Sequence, residues 1–147
     1  PVHGFCSLAA QAHAAGHHGL LQDGDCVLST IDAQIDQLYG LWGECREGAF
    51  VADGKVFVCA PEDLLAESSQ PATVDIASGA RYQERIPEDL TSAAQWLPEV
   101  TPDARVTAEL FGAGTLALQP EPAHALSPQY VQRDIGWKKL SEQGRRD

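Results

Sequence analysis

The sequence predicts an α/β protein in which helices pack on a mixed β-sheet. Two features of the pattern indicate this class. Strand-like and helix-like segments alternate along much of the 147-residue chain, and such alternation typically places helices in a layer against a sheet. Residues 26–59 interrupt the alternation with three or four strand-like runs in succession, which favours an antiparallel meander within that sheet. The length of the chain suits one domain.

At the start of the chain we predict a strand followed by a helix. Residues 2–6 alternate loosely between apolar and polar positions, as in a short buried strand. Ser7 is a suitable N-cap for an alanine-rich helix over residues 8–15. Gly16 follows, and glycine commonly ends a helix because it tolerates a left-handed conformation.

The meander is predicted from alternating segments that are separated by turns. Its strands are expected over residues 26–31, 37–45, 49–51 and 56–59. Between the last two strands stands Asp53-Gly54, a dipeptide typical of tight β-hairpins. We therefore expect these two strands to pair with each other.

After the meander, the sequence predicts a short helix and another strand. The helix is expected over residues 60–66, where Pro61 stands in the first turn and is followed by two acids. The strand is expected over residues 73–77 and ends at Ser78-Gly79. Many α/β folds bind a ligand where a strand ends in this way, but Ser-Gly is also an ordinary strand ending. The pair therefore indicates a turn more strongly than a site.

Apolar spacing predicts two further helices, over residues 88–97 and 103–118. Their stripes are Leu90, Ala93, Ala94 and Leu97 in the first helix, and Val106, Leu110, Ala113, Gly114 and Ala117 in the second. Residues 119–128 are rich in proline and polar side chains and are predicted as a surface connection. A short strand or an extended arm is expected at residues 130–131.

Charge is distributed unevenly along the chain. Residues 1–132 hold 18 acids and 5 bases, a balance of −13, whereas residues 133–147 hold three acids and five bases. We therefore divide the chain into a domain and a basic tail at this point. Because an acidic body repels phosphate, no strong direct nucleic-acid binding is expected. The tail is predicted to be a solvated terminus, with contact to RNA or to an acidic partner as the alternative.

The four cysteines indicate a reducing, cytoplasmic environment. No two have the Cys-x-x-Cys spacing of zinc or thioredoxin-like sites, and all stand among apolar residues: Cys6, Cys26, Cys45 and Cys59. We expect them to be buried free thiols, with an extracellular disulfide framework as the alternative, although such a framework usually has more cysteines. Neither a membrane span nor a signal-peptide pattern is present in the sequence, so no membrane association is expected. Because the chain begins without Met, inside a predicted strand, we expect it to be a fragment.

Histidines at the end of the first predicted helix are candidates for a metal site. His13 and His17 are four residues apart, which is the spacing of helical zinc ligands, and His18 is adjacent. However, no glutamate lies between them, and the predicted helix ends before His17. The more natural interpretation is a polar helix end, with histidines near the negative pole of the helix dipole.

The carboxylates and possible nucleophiles of the chain indicate an active site no more strongly than the histidines do. Asp32, Asp36 and Glu44 could form a carboxylate cluster, although a turn in which Asp32 accepts local backbone N–H groups is the simpler interpretation. Ser78 has no histidine in a motif with it, and Gly112 and Gly114 lie inside a helical stripe rather than after a strand. We therefore predict no catalytic, cofactor-binding or metal-binding residue, and no cofactor.

Four short segments carry a further signal when they are taken together. They are residues 4–8 (Gly-Phe-Cys-Ser-Leu), 31–39 (Ile-Asp-Ala-Gln-Ile-Asp-Gln-Leu-Tyr), 126–131 (Leu-Ser-Pro-Gln-Tyr-Val) and 136–140 (Gly-Trp-Lys-Lys-Leu). In this order they resemble four segments of the TsaB family, also called YeaZ. Those are Gly-Val-Ser-(Ser/Thr)-Leu, Ile-Asp-Ala-Arg-x-x-(Glu/Gln)-Val-Tyr, Pro-x-Tyr-Leu-Arg and Ala-Trp-Lys-Lys-Leu. The resemblance extends over nearly the whole chain.

The resemblance implies the second lobe of an actin-like, ribonuclease-H-like fold. The Asp-Thr-(Ala/Ser) and Gly-Pro-Gly-Ser segments of the family's N-terminal half are absent, and in the family that half contacts the catalytic partner TsaD. At two positions where the family has a basic residue, this chain has Gln34 and Gln132. Any ionic role of those basic residues is therefore not carried over to this chain. The metal-binding His-x-x-x-His pair of TsaD lies in its N-terminal lobe, so His13 and His17 do not correspond to it.

The function that the resemblance implies is that of a cytoplasmic, non-catalytic subunit in a bacterial tRNA-modifying complex. This complex transfers threonylcarbamoyl to an adenosine of tRNA. The partners would be a TsaD-like catalytic subunit and a TsaE-like ATPase, bound through the full-length protein. Two alternatives stay open. One is a glycoprotease-like metallopeptidase that uses His13, His17 and a carboxylate such as Asp32, and the other is a self-associating domain that forms a homodimer.

Overall fold

A computed structural model describes residues 1–34, 36–67, 74–77, 84–88 and 95–128, which form a mixed β-sheet with helices packed against it. The α-helices are α1 (Ser7–His17) and α2 (Ala104–Gly112). The strands are β1 (Cys26–Gln34), β2 (Gln37–Arg46), β3 (Ala49–Ala52), β4 (Phe57–Cys59), β5 (Val74–Ala77) and β6 (Gln95–Trp96), and a 3-10 helix covers Pro61–Glu67. The predicted α/β class and mixed sheet are confirmed. Within these ranges, no helix has both the length and the apolar character that crossing a membrane requires.

The predicted antiparallel meander is formed by β1, β2 and β3. The pairing of β1 with β2 runs from Cys26↔Glu44 to Gln34↔Gln37, so β1 continues beyond residue 31, where the prediction ended it. Between β2 and β3, Glu47 and Gly48 make the turn with positive φ angles of 52° and 74°. A turn with two positive φ angles matches the twist of the strands that it joins.

The predicted hairpin across Asp53-Gly54 is wrong. Both β3 and β4 pair with β2, in the registers Gly43↔Ala52 and Gly40↔Phe57. Residues 53–56 therefore stand opposite only two residues of β2 and form a bulge in an edge strand. The long edge of β2, which spans ten residues, accommodates both short strands. A dipeptide that permits a tight turn does not require one when such an edge is available.

The other half of the sheet is parallel. β5 pairs with β1, and β6 pairs with β5, so the strand order is β3-β2-β1-β5-β6 with β4 also on β2. The strand predicted over residues 73–77 is thus confirmed for Val74–Ala77. The helix predicted over residues 88–97 is wrong at Gln95–Trp96, because these residues pair with β5. Ser78-Gly79 lies outside the described residues.

Two hydrophobic clusters occupy the two faces of the sheet. On the α1 face, the buried residues are Leu8, Ala12, Ala14, Ala15, Leu21, Val27, Leu41, Cys45, Phe50, Leu97 and Val100. On the opposite face, they are Leu28, Leu38, Trp42, Cys59, Leu64 and Ile86, with the 3-10 helix contributing Leu64. The alternation of Val27 with Leu28, and of Leu41 with Trp42, follows from the two-residue period of a strand. The sheet therefore separates the two clusters.

Helix α1 differs from its prediction at both ends. Cys6, rather than Ser7, is the N-cap, and the helix continues through Gly16 to His17. Gly16 stays helical, while the left-handed conformation is adopted at Gly19, where φ is 70°. The strand predicted over residues 2–6 is also wrong, because only Val2 makes a bridge there.

Helix α2 is shorter than the predicted helix over residues 103–118. Asp103 caps it by accepting hydrogen bonds from Arg105 N (2.8 Å) and Val106 N (3.3 Å). The helix ends at Gly112 because Gly114, at φ 75°, turns the chain back, so that Thr115 N donates to Leu110 O. Of the predicted stripe, only Val106 is fully buried. Residues 130–131 and the tail over 133–147 lie outside the described residues.

Candidate functional site

The main candidate site is a cleft of about 780 Å³ at the start of α1. Residues 4–8 and 126–128 form its walls, and Ile31, Tyr39 and Val56 form its floor. None of these eleven residues carries a charge, although the chain as a whole has a formal net charge of −11. The cleft is therefore an uncharged, mainly apolar surface on an acidic protein.

The two walls of the cleft are held together by backbone pairing. Val2 N donates to Glu121 O (2.9 Å), and Glu121 N donates to Val2 O (2.8 Å). Further along, Gly4 approaches Leu126 so closely that a Cβ on Gly4 would lie 2.8 Å from Leu126 Cδ2. A side chain at position 4 would therefore displace Leu126 and change the shape of the cleft.

The floor of the cleft belongs to the α1 face of the sheet. Ile31 of β1 lies directly opposite Tyr39 of β2, and Val56 comes from the bulge between β3 and β4. All three are only partly buried and pack against the core on this face. Because α1 begins at Ser7, this part of the sheet face lies at the edge of the helix layer.

A buried hydrogen-bond network fixes α1 to the floor. Gln11 Nε2 donates to Thr30 O (3.0 Å) and to Ser29 Oγ (3.3 Å), and Ser29 Oγ donates to Leu8 O (2.8 Å). Gln11 and Ser29 are both fully buried. These contacts hold Leu8, which lines the cleft, in a fixed position over β1.

Three of the four family-like segments meet at this cleft. Residues 4–8 form one wall, the ends of the segment 31–39 lie in the floor, and the beginning of the segment 126–131 forms the second wall. They lie far apart in the sequence, so local structure does not explain their meeting. The fourth segment, residues 136–140, lies outside the described residues.

The fold is also found in solved structures. YeaZ from Pseudomonas aeruginosa superposes with a TM-score of 0.57 at 23% sequence identity, covering 76% of this chain and 50% of that chain. A second structure, described as an uncharacterized protein with similarity to peptidase YeaZ from Pseudomonas aeruginosa, gives a TM-score of 0.64 at 23% identity, covering 87% of this chain and 57% of that chain. This chain has a YeaZ-like fold. It spans between half and three-fifths of the length of these structures. No protein-family model matches the chain, and no curated protein matches it.

The two histidines predicted as candidate metal ligands have separate environments in the YeaZ-like domain. His13 is 6% exposed and lies between the rings of Phe5 and Phe50, at centroid distances of 5.8 and 5.9 Å. Burial lowers the pKa of His13 below its ordinary value. His17, in contrast, is exposed and lies 3.8 Å from Glu109 of α2. In the part of the chain that the structure describes, no group of three or more potential ligands could hold a metal ion.

The candidate carboxylates do not form a cluster. Asp32 pairs with Leu38, whereas Glu44 lies opposite Cys26, six residues away along β1, which corresponds to roughly 20 Å. Asp36 instead forms an ion pair with Arg85 (3.2 Å). Glu44 is bound by Arg46 at 2.7 Å, and this hydrogen bond lowers the pKa of Glu44. The cluster hypothesis is therefore wrong for these three side chains.

Arg85 joins three parts of the fold through exposed ion pairs. Its guanidinium donates to both carboxylate oxygens of Glu62, at 2.6 and 3.2 Å, as well as to Asp36. The hydrogen bond from Arg85 lowers the pKa of Glu62. Arg85 thereby links residues 84–88 to the 3-10 helix and to the turn between β1 and β2. No sequence motif signals such a contact across the fold.

The cysteines are free thiols, as predicted, but only two of the four are fully buried. Those two are Cys45 and Cys59, whereas Cys6 and Cys26 are partly exposed. Burial, together with nearby carboxylates, raises the pKa of the Cys26 and Cys45 thiols. Cys6 lines the cleft next to Phe5. The raised pKa keeps Cys26 and Cys45 in the thiol form, which is the less reactive one.

Proposed function

We propose that this chain is the second lobe of a TsaB-like protein, a non-catalytic accessory subunit of the bacterial complex that makes threonylcarbamoyladenosine on tRNA. In this proposal, the sheet belongs to the actin-like, ribonuclease-H-like class. The antiparallel meander followed by parallel strands supports that assignment. Free thiols agree with a cytoplasmic location, where disulfides are rare.

The observation that carries the proposal is the meeting of three family-like segments at one cleft. Each segment is short, so its similarity alone has little weight. Together they form the walls and floor of one uncharged surface, as segments do when they serve a common contact. Similarity that is concentrated on a shared surface is stronger support than the same number of matches scattered over the fold.

In the full-length protein that we propose, the first lobe covers this cleft. An apolar surface without charges is typical of the centre of a protein–protein interface rather than of its rim. The chain spans about half the length of YeaZ from Pseudomonas aeruginosa, which leaves length for such a lobe in a longer parent protein. Assembly with a TsaD-like catalytic subunit and a TsaE-like ATPase is assigned to that parent protein and not to this domain alone.

The two histidines of the peptidase alternative have separate contacts in this domain. His13 contacts the rings of Phe5 and Phe50, and His17 lies near Glu109 of α2. In the proposal, catalysis is supplied by the TsaD-like partner, and this domain supports the lobe that contacts it.

The first test is reconstitution with the full-length parent protein. It should co-purify with a TsaD-like subunit and should restore tRNA modification when it is added to the other components. The isolated domain should bind the TsaD-like subunit poorly, because the contacting lobe is absent. A full-length protein that neither binds nor supports modification would refute the proposed function. Tight binding by the isolated domain would refute the assignment of the contact to the first lobe.

The second test compares two leucines of equal exposure. Leu126 lies in the cleft wall and Leu20 lies outside the cleft, and each is 38% exposed. In the full-length protein, Leu126→Glu should place a charge in the covered cleft and lower the melting temperature, whereas Leu20→Glu should have little effect. Equal effects of the two substitutions would show that the cleft is not covered.

A further inference from the structure

Buried His13 lies at the point where the protein core meets the cleft. It stands two turns into α1, and its Nδ1 is buried without a hydrogen-bond partner among the described residues. Its two aromatic neighbours differ in position. Phe50 is a core residue that is 5% exposed, whereas Phe5 is partly exposed and lines the cleft. His13 therefore lies between a neighbour that is buried in the core, Phe50, and a neighbour that borders solvent, Phe5.

The contact with Phe50 is rigid. The ring of Phe50 lies directly over Gly43, where it would overlap with a Cβ, so it is confined between the sheet and His13. The segment that carries Phe5 is held differently. Residues 3–5 have no helix or strand structure. They lie between the bridge of Val2 with Glu121 on one side and Cys6 on the other, whose carbonyl oxygen accepts from Ala10 N (2.9 Å) where α1 begins. If one neighbour of His13 moves, it is Phe5.

We propose that His13 is a pH-sensitive latch, which holds Phe5 against the core while the imidazole is neutral and releases Phe5 into the cleft when it is protonated. In the neutral ring, Nδ1 can stay without a partner because it need not carry a proton. In the imidazolium ion, both ring nitrogens are donors, and Nδ1–H would be buried together with a positive charge. A buried charge without a partner is costly, so the ring must reach water. Water reaches it by displacement of Phe5.

No described charge close to His13 compensates for its protonation. On α2, Glu109 contacts His17 and Arg105, at 3.8 and 3.5 Å. On the sheet, the Cys45 thiol lies near Asp23, and in the N-terminal segment His3 stacks on Phe111. Burial is accordingly the sole cause of the lowered pKa of His13.

The lowered pKa of His13 determines how the stability of the fold changes with pH. The folded protein binds a proton at His13 less tightly than the unfolded chain does, so the neutral form stabilises the fold above the ordinary pKa of about 6.5. That stability is lost as pH falls through 6.5 towards the lower folded value. Between pH 7.5 and 5.5 histidines titrate, whereas ordinary carboxyl groups stay ionised. This inference does not depend on the proposed function, because it concerns only the described domain.

The test is amide hydrogen exchange of residues 2–8 at pH 7.5 and at pH 5.5, corrected for intrinsic exchange, together with fluorescence of the apolar dye ANS. In the wild-type chain, we expect exchange and dye fluorescence to rise several-fold at the lower pH. His13→Leu should abolish the rise. His17→Leu, one turn further along the same helix, should retain it. A wild-type chain without the rise, or a His13→Leu variant that keeps it, would overturn the proposal.

A second variant covers the case in which His13→Leu does not fold. Phe5→Ala removes the group that closes the site and leaves His13 in place. Its exchange and dye signals at pH 7.5 should already match those of the wild-type chain at pH 5.5, with little further change on acidification. If Phe5→Ala instead shows the full wild-type rise, Phe5 is not the group that His13 controls.

Discussion

Replacing Gly43 by alanine should destabilise the domain strongly, because this position has no room for a methyl group. An added Cβ would overlap with the Phe50 ring and would lie 2.5 Å from Val51 O, well inside the 3.5–4.0 Å of a favourable carbon contact. Phe50 cannot move away, since it is 5% exposed and packs on His13. Val51 O belongs to the backbone of β3, which is paired with β2. Relief therefore requires displacement of a strand.

The expected magnitude follows from this geometry. Overpacking in a close-packed core typically costs about 1–3 kcal/mol. The Phe50 ring and Val51 O are both held in place, so neither can yield as the end of a flexible side chain would. We therefore expect Gly43→Ala to lower the free energy of unfolding by about 3 kcal/mol, the upper end of this range. In a domain of about 150 residues, each kcal/mol lowers the melting temperature by about 2–4 °C, so the loss should be roughly 6–12 °C. The measurement is thermal unfolding followed by circular dichroism.

Two further glycines serve as controls for this reasoning. At Gly40, the three atoms nearest to an added Cβ all belong to the side chain of Phe57, which is partly buried, whereas at Gly43 a backbone oxygen is among them; Gly40→Ala should therefore cost less than Gly43→Ala. At Gly112, an added Cβ meets nothing within 4 Å, and Gly112→Ala in helix α2 should stabilise by about 0.5–1 kcal/mol. If Gly43→Ala proves as mild as Gly40→Ala, β3 can move away from β2 at little cost, and the predicted loss of stability is refuted.

Three other substitutions test separate parts of the fold. Ser29→Ala removes the buried link between β1 and Leu8 O and should cost about 1–2 kcal/mol in urea unfolding, and an unchanged midpoint would contradict the role of this link. Asp103→Ala removes the cap of α2 and should lower stability at pH 7. The hydrogen bonds that lower the pKa of Asp103 stabilise the fold at pH values above 3.8, the ordinary pKa of the group. The difference in stability between the variant and the wild type should therefore shrink as the pH falls below 3.8. A difference that does not change with pH would refute this role of Asp103. Arg85→Leu should have only a small effect that disappears in high salt, because its ion pairs with Glu62 and Asp36 are exposed. A large, salt-independent loss would point to packing instead.

Local patterns predicted the elements whose partners are close in sequence. The alternation in residues 37–45 and the turn that follows were sufficient for β2 and for its pairing with β1 and β3. The failures occurred where distant contacts decide the structure. The stripe from Leu90 to Leu97 fits a helix, yet Gln95–Trp96 forms a strand because β5 offers an edge. Asp53-Gly54 permits a hairpin, yet β4 follows β2 because that edge is long enough.

The cleft could be predicted only in part, for the same reason. The three family-like segments were identified from their residues, but nothing in the sequence indicated that they meet. Phe5 was recognised only as a member of the segment 4–8, and Val56 only as the start of a predicted strand, because a single apolar residue carries no signal of its own. His13 was noted for its spacing from His17, whereas its physical role follows from burial between two rings. Burial depends on the packing of α1 against β3, which no local pattern reveals.

The cleft combines a rigid floor with walls that are less firmly held. Ile31 and Tyr39 of the floor lie on paired strands, and α1 is fixed to β1 by the buried contacts of Gln11 and Ser29. In the walls, Leu8 is held by the same buried contacts, whereas residues 4–6 and 126–128 are held by one backbone bridge, between Val2 and Glu121, and by the close approach of Leu126 to Gly4. A partner that covers the cleft therefore meets a preformed floor and has to order only the walls, which limits the entropic cost of binding. Substitutions in the floor should consequently change stability, and substitutions in the walls should change association, so the two properties can be separated by mutation.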